Sequence, residues 1–201
     1  MKLNKNSLKH LVFVIMTLPT LVSCNLCKEG LPSTLALSEK EKLHEIIEND
    51  WQRKLKNRPE MASYIGDRRY NQQWSDKSEE KLLNSYNDDK ATLELLTNIE
   101  YNQLSDSEKT NFDLFKWQTQ SSIDKFTFSP YLMPLDQLEG IQFYHQEINY
   151  FPLHNLQDYQ DWLERLRALP KLISQTTKLM KIGIAKGIMP SRVAFSRIPA
   201  Q

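Results

Sequence analysis

Apolar positions recur three and four residues apart through most of the chain, and no stretch alternates long enough to suggest a sheet. Leu43, Ile46, Ile47 and Leu55 form one such stripe with Trp51 near it, and Ser38 with Glu41 supplies a capping box for a helix over 38–56. Asn57-Arg58-Pro59 ends it, because the residue before a proline is pushed out of the helical region. A short helix over 59–66 opens at Pro59 and closes at Gly66, ahead of the polar, aromatic run Asp67 to Trp74. A long helix is predicted from Asp76 to Glu100, with Leu82, Leu83, Tyr86, Leu93 and Leu96 facing inward. Ser105 and Glu108 make a second capping box, before a helix carrying Phe112, Phe115, Trp117 and Ile123.

Residues 126–154 break the rhythm. Three prolines, one glycine and seven phenylalanines or tyrosines occur there without a steady period, which predicts an ordered, aromatic-rich irregular connection with a little strand. Asn155 then caps a helix with Tyr159, Leu163 and Leu166 on its inner face. Pro170 is expected to begin another helix, with Leu172, Ile173, Leu179 and Ile182 inside and Gly187 as its C-cap. Met189-Pro190-Ser191-Arg192 turns into a further segment. The predicted class is mostly α, a multi-helix assembly.

The start of the chain follows a different logic. Lys2, Lys5 and Lys9 precede the apolar run Leu11 to Val22, the pattern of a secretory leader. The run is too short to span a bilayer, which takes about 20 apolar residues. Leu21-Val22-Ser23-Cys24 directly after it resembles a lipobox, which implies cleavage after Ser23 and a lipid on Cys24. The expected organisation is a lipoprotein signal peptide over 1–23, a lipidated tether over 24–37 and a helical domain over 38–201. Asn25, standing where an aspartate would favour the inner membrane, points to the outer membrane, facing the periplasm, in a bacterium with two membranes. Each acyl methylene buried contributes roughly 0.8 kcal/mol, so several chains hold a domain firmly.

Losing the leader removes three lysines and no acid, and moves the net charge from +1 to −2. Charges of both signs are interspersed, so there is no concentrated basic patch and no electrostatic case for nucleic acid. Both cysteines, Cys24 and Cys27, sit at the tether, so the domain has no internal disulfide and must rest on its hydrophobic core.

From Trp51 onward the order of landmarks resembles the bacterial domain of unknown function numbered 885. The residues that carry the resemblance are Pro59-Glu60-Met61-Ala62-Ser63 with Gly66-Asp67-Arg68-Arg69, Trp74-Ser75-Asp76, and Leu104-Ser105 with Asn111-Phe112-Asp113-Leu114. Tyr131-Leu132-Met133-Pro134, Gln137-Leu138-Glu139-Gly140, Asp158-Tyr159 with Trp162 to Leu166, and Gly183 to Arg192 complete it. The resemblance implies the large helical shell of zinc peptidases. Longer members carry a His-Glu segment ending in Pro-Gly-His, which has no counterpart here. The chain thus resembles the amino-terminal part of that family, and the helical domain is expected to be incomplete at its C-terminal end. No cofactor is expected in this chain, while zinc is implied for a full-length relative.

Candidate chemistry is sparse. His44 and Glu48 fall one helical turn apart, a near miss to His-Glu-x-x-His. Ile46 and Ile47 explain the same segment as an amphipathic face, which leaves His44 on the solvated side. His145 and Glu147 lie beside Tyr144 and Tyr150, with His154 further on; a cleft could use them, although aromatic packing with a hydrogen-bonded histidine accounts for them too. Arg68 and Arg69 after Asp67 could fork a substrate carboxylate or form a structural ion pair. No Gly-x-Ser-x-Gly elbow and no phosphate loop occurs among five glycines.

Two readings follow. One is the amino-terminal portion of a membrane-anchored, peptidase-like metal hydrolase, inactive by itself and prone to self-association through uncovered apolar faces. The other is a self-contained helical lipoprotein that binds a partner or ligand without chemistry.

Overall fold

The computed structural model describes residues 37–136 and 140–196. The leader, Cys24 and all of the tether but Leu37 lie outside the described residues. Helix α1 (Glu39–Asn57) opens on the predicted box: Ser38 Oγ accepts the Glu41 N–H at 3.3 Å, and the Glu41 carboxylate accepts the Ser38 N–H at 2.8 Å. Helix α2 (Pro59–Tyr64) follows at once, with proline at a position whose missing N–H costs nothing. Gly66, at φ +89°, then turns the chain into a single 3-10 turn, Arg68–Tyr70.

Helix α3 (Glu79–Leu96) is shorter than the predicted 76–100. Asp76 accepts the Ser78 N–H at 2.8 Å, and Ser78 in turn caps Lys81, so the helix cannot begin earlier. Leu83 was expected inside and instead faces solvent. It sits about 100° around the helix from Leu82, which shares the inward side with Tyr86, Leu93 and Leu96.

Helix α4 (Asp106–Thr127) forms only half of its predicted capping box. Ser105 Oγ accepts the Glu108 N–H, but the Glu108 carboxylate turns away to His44 Nε2 on α1, 2.8 Å distant. Helices α3 and α4 make the broadest contact in the fold, and α1 lies against both. Leu43, Leu96, Ile99, Leu104, Phe112 and Phe115 form their shared core, flanked by Ile46, Ile47 and Leu93. Burying each such side chain stabilises by about 1.5–3 kcal/mol. A polar pin supplements it, since Arg53 bonds Asp50 and Asp89, and Asp89 accepts from Ser122 at 2.6 Å.

The aromatic connection contains no strand among its described residues, contrary to expectation; it winds into 3-10 turns at Pro130–Leu132 and Ile141–Asn149. Ser129 enters it at φ +53°, the left-handed region. The aromatics stack instead of pairing strands, with Phe126 between Tyr86 and Tyr131 at centroid distances of 4.5 and 5.0 Å.

Helix α5 (Leu156–Lys186) is one helix of 31 residues, and Pro170 lies inside it where a new start was expected. A proline forfeits one hydrogen bond and crowds the preceding turn, but the capping box of Asn155 and Asp158 and good helix formers on both sides carry the helix through. Gly187 ends it in the left-handed conformation, as predicted. The predicted inner face of its first half is wrong. Tyr159, Leu163 and Leu166 are exposed, as is Ile173, while Asp158, Asp161, Trp162 and Arg165 are buried. A last short helix, α6, spans Arg192–Phe195. No described helix is long and apolar enough to cross a membrane.

Two seams hold α5 in place. Gly183 lies so close to the 130–132 turn that a Cβ would stand 2.7 Å from the Leu132 carbonyl oxygen. The other seam, along residues 59–77, is polar.

Candidate functional site

Arg165 is the centre of the polar seam and is fully buried. Its Nη2 donates to Ser63 Oγ at 2.8 Å and to the carbonyls of Tyr70 and Pro59 at 3.2 and 3.3 Å. The guanidinium lies 5.2 Å from the Trp74 ring centre and 5.1 Å from that of Phe151, close enough for cation–π attraction. Trp74 returns the contact by donating its indole N–H to the Arg165 carbonyl at 2.6 Å. Arg165 Nε and Nη1 find no hydrogen-bond partner. Burial weakens the hold of Arg165 on its proton, and the charges of Glu60, Glu147 and Asp161 counteract this.

Neighbouring pairs extend the seam. Arg68 meets Asp158 at 3.2 Å with both terminal nitrogens, and Gln72 donates to Asp161 at 2.8 Å. Gln175 bridges Asp76 (2.7 Å) and the Lys77 N–H (3.0 Å). Arg69 folds back on Asp67. The arginines that could have forked a substrate carboxylate are therefore held in ion pairs of the fold.

Beside this seam opens a cleft of about 670 Å³. Helix α2, the segment before α3, the end of α4, both 3-10 turns of the aromatic connection and α5 all contribute to it. Tyr144, one wall residue, stacks on Trp74 at 5.0 Å, so the cleft and the Arg165 seam share an aromatic layer. Three carboxylates, Glu60, Asp136 and Glu147, line it. Glu60 accepts the Ser75 N–H at 2.9 Å and the Ser75 hydroxyl at 2.5 Å. Burial and then the Glu60 charge push the Glu147 carboxyl above its usual range.

The histidines do not converge on the cleft. His44 Nε2 meets Glu108, and Glu48 accepts from Gln52 at 2.7 Å, so the two separate instead of sharing an ion. His145 Nδ1 lies 2.9 Å from the Gln142 carbonyl, and His154 meets Asp158 through its backbone N–H. Zinc takes about three protein ligands and a water, and no three His, Cys, Asp or Glu residues gather suitably among the described residues. The donors described do not fit the metal that the resemblance implies.

Glu147 and Tyr144 could be singled out from the aromatic segment, and both line the cleft. Arg165, Glu60 and the lysines of the wall could not. A charged residue in a helix reads as solvated unless its neighbours are known, and the one available signal was that Trp162 and Leu172 fall on the same side as Arg165.

The fold and the site define a helical protein with a mixed polar and aromatic cleft. The family model described as a bacterial protein of unknown function, DUF885, matches residues 59–201, and the chain belongs to that family. No curated protein and no solved structure matches it.

Proposed function

We propose that this chain is an exported lipoprotein, anchored through Cys24 with the outer membrane as its destination, and that its helical domain is the ligand-binding, amino-terminal portion of a peptidase-like metal hydrolase. The catalytic metal motif is absent from the chain, so the chain alone binds without cleaving. The cleft is the observation that carries this reading: at about 670 Å³ it is of ligand size, it mixes charged and aromatic walls, and six parts of the family-matched region build it.

Anchoring and chemistry are tested together. Cells given labelled fatty acid should label the wild type and Cys27→Ala but not Cys24→Ala. Purified chain with added zinc should leave a peptide mixture intact by mass spectrometry. Label on Cys24→Ala sinks the anchor, and chelator-sensitive cleavage sinks the claim of inactivity. A cooperatively folding monomer that binds ligand, with no hydrolase motif encoded after Gln201, favours the self-contained binding lipoprotein.

A further inference from the structure

Most cations around the polar seam are already spoken for. Arg68, Arg69, Lys171 and Lys178 all form ion pairs. The cations that line the cleft differ. Arg58 comes from the junction of α1 and α2, Lys77 from the segment before α3 and Lys125 from the last turn of α4. Among the described residues, none of the three side chains has an ion pair or a hydrogen bond.

Three acids stand in the same walls, and none of them forms an ion pair with these cations. Glu60 is committed to Ser75 through two hydrogen bonds. Asp136 is not free either. Burial and the Glu60 charge raise the pKa of Glu147. A ligand entering the cleft therefore meets three cations that no side chain holds in an ion pair. It also meets apolar surface from Met61, Tyr131 and Phe143.

We propose that the cleft binds small organic carboxylates with an apolar or aromatic body, the carboxylate among Arg58, Lys77 and Lys125 and the body against Met61, Tyr131 and Phe143. This rests on the reading of the cleft as the ligand site. A guanidinium fork matches a carboxylate in geometry, and the two ammonium groups add charge without demanding one orientation. Lys77 is half-buried while Arg58 and Lys125 are exposed, so Lys77 is the least screened of the three.

Calorimetric titration of the full chain in non-ionic detergent decides it, with N-acetyl-phenylalanine and its uncharged amide as probes. The acid should bind about tenfold more tightly than the amide, a gain of the size charge-assisted bonds supply. That margin should shrink as salt rises from about 0.05 to about 0.5 M. The double substitution Lys77→Met with Lys125→Met should abolish the margin, and Lys178→Met should preserve it. Equal binding of acid and amide overturns the carboxylate proposal and leaves the cleft as a binding site. A margin that the double variant keeps does the same. Binding of neither probe overturns both. Should the double variant fail to fold, the wild-type margin and its salt dependence decide.

Discussion

Arg165 on α5 donates to Ser63 Oγ on α2 at 2.8 Å, joining positions 102 residues apart in the sequence. Ser63 passes the connection on to Asn71 Oδ1 at 2.7 Å, and both residues are buried. The buried cation has no carboxylate in direct contact and leaves two donors unpartnered, so its charge costs stability even as its hydrogen bonds and ring contacts add to it. Arg165→Ala should lower stability by about 3 kcal/mol, through the cavity and the orphaned acceptors. Arg165→Met, which keeps volume and removes the charge, should lose no more than about half as much. Urea midpoints of the three proteins measure this, and a methionine variant as unstable as the alanine variant would contradict it.

Asp76 supplies a pH signature. Burial would raise its pKa, but the Ser78 amide and hydroxyl and Lys171 outweigh that and bring it down from 3.8 to about 2. A folded-state pKa below the unfolded one means stability that is complete above the unfolded value and lost as pH falls toward 2. The site is largely solvated, so the contribution is about 1 kcal/mol after allowance for screening. Asp76→Asn should match the wild type near pH 2 and fall below it by that amount at pH 6. A constant gap across the range would count against the assignment.

Gly183 and Gly187 separate two uses of glycine. A Cβ at Gly183 would stand 2.7 Å from the Leu132 carbonyl oxygen and 2.8 Å from that of Ile188, both backbone atoms that cannot swing away. Gly183→Ala should therefore cost about 1–3 kcal/mol through overpacking. Gly187 has open space but φ +71°, so Gly187→Ala should cost about 1 kcal/mol from backbone strain alone. Thermal midpoints should fall in that order.

The outer face of α5 carries Leu156, Tyr159, Leu163, Leu166, Ile173 and Ile184, each at least 41 % exposed. Their spacing of three, four and three residues from Leu156, continued at Ile173 and Ile184, is that of a helix seam. So long an apolar stripe exceeds the scattered exposure of soluble monomers. The chain should self-associate at micromolar concentration, and Leu163→Glu with Ile173→Glu should return it to monomer without loss of helix. Sedimentation velocity with circular dichroism reads both, and a monomeric wild type would refute it.

That stripe also explains where the sequence misled. Periodicity marks an amphipathic helix, but it does not say whether the apolar side is the covered one. On α1 the two coincide, because Leu43, flanked by Ile46 and Ile47, meets the apolar faces of α3 and α4. On the first half of α5 they oppose, because residues 59–77 offer carbonyls, Ser63 and Arg68, which select Asp158, Asp161 and Arg165. Glu108 was misjudged for a similar reason. Its local role as a cap competes with His44, which is 64 positions away. Helix starts at Ser38, Pro59 and Ser105 and the stop at Gly187 were legible, since caps and prolines act within a few residues. Of the cleft, only the aromatic wall around Tyr144 and Glu147 stood out, since its cations come from three separate elements.

The polar character of the α5 seam has a kinetic side. Helices α3 and α4 are neighbours in sequence and share an apolar core, so they can associate early, whereas the seam must close loops on the order of a hundred residues for a handful of directional bonds. Such a seam should form late in refolding and open first in the native state. Amide exchange should therefore run faster in α5 and in residues 59–77 than in α3 and α4. A carboxylate held across the cleft would slow exchange most in the first pair, so that the ligand, more than the core, sets how long the cleft stays closed.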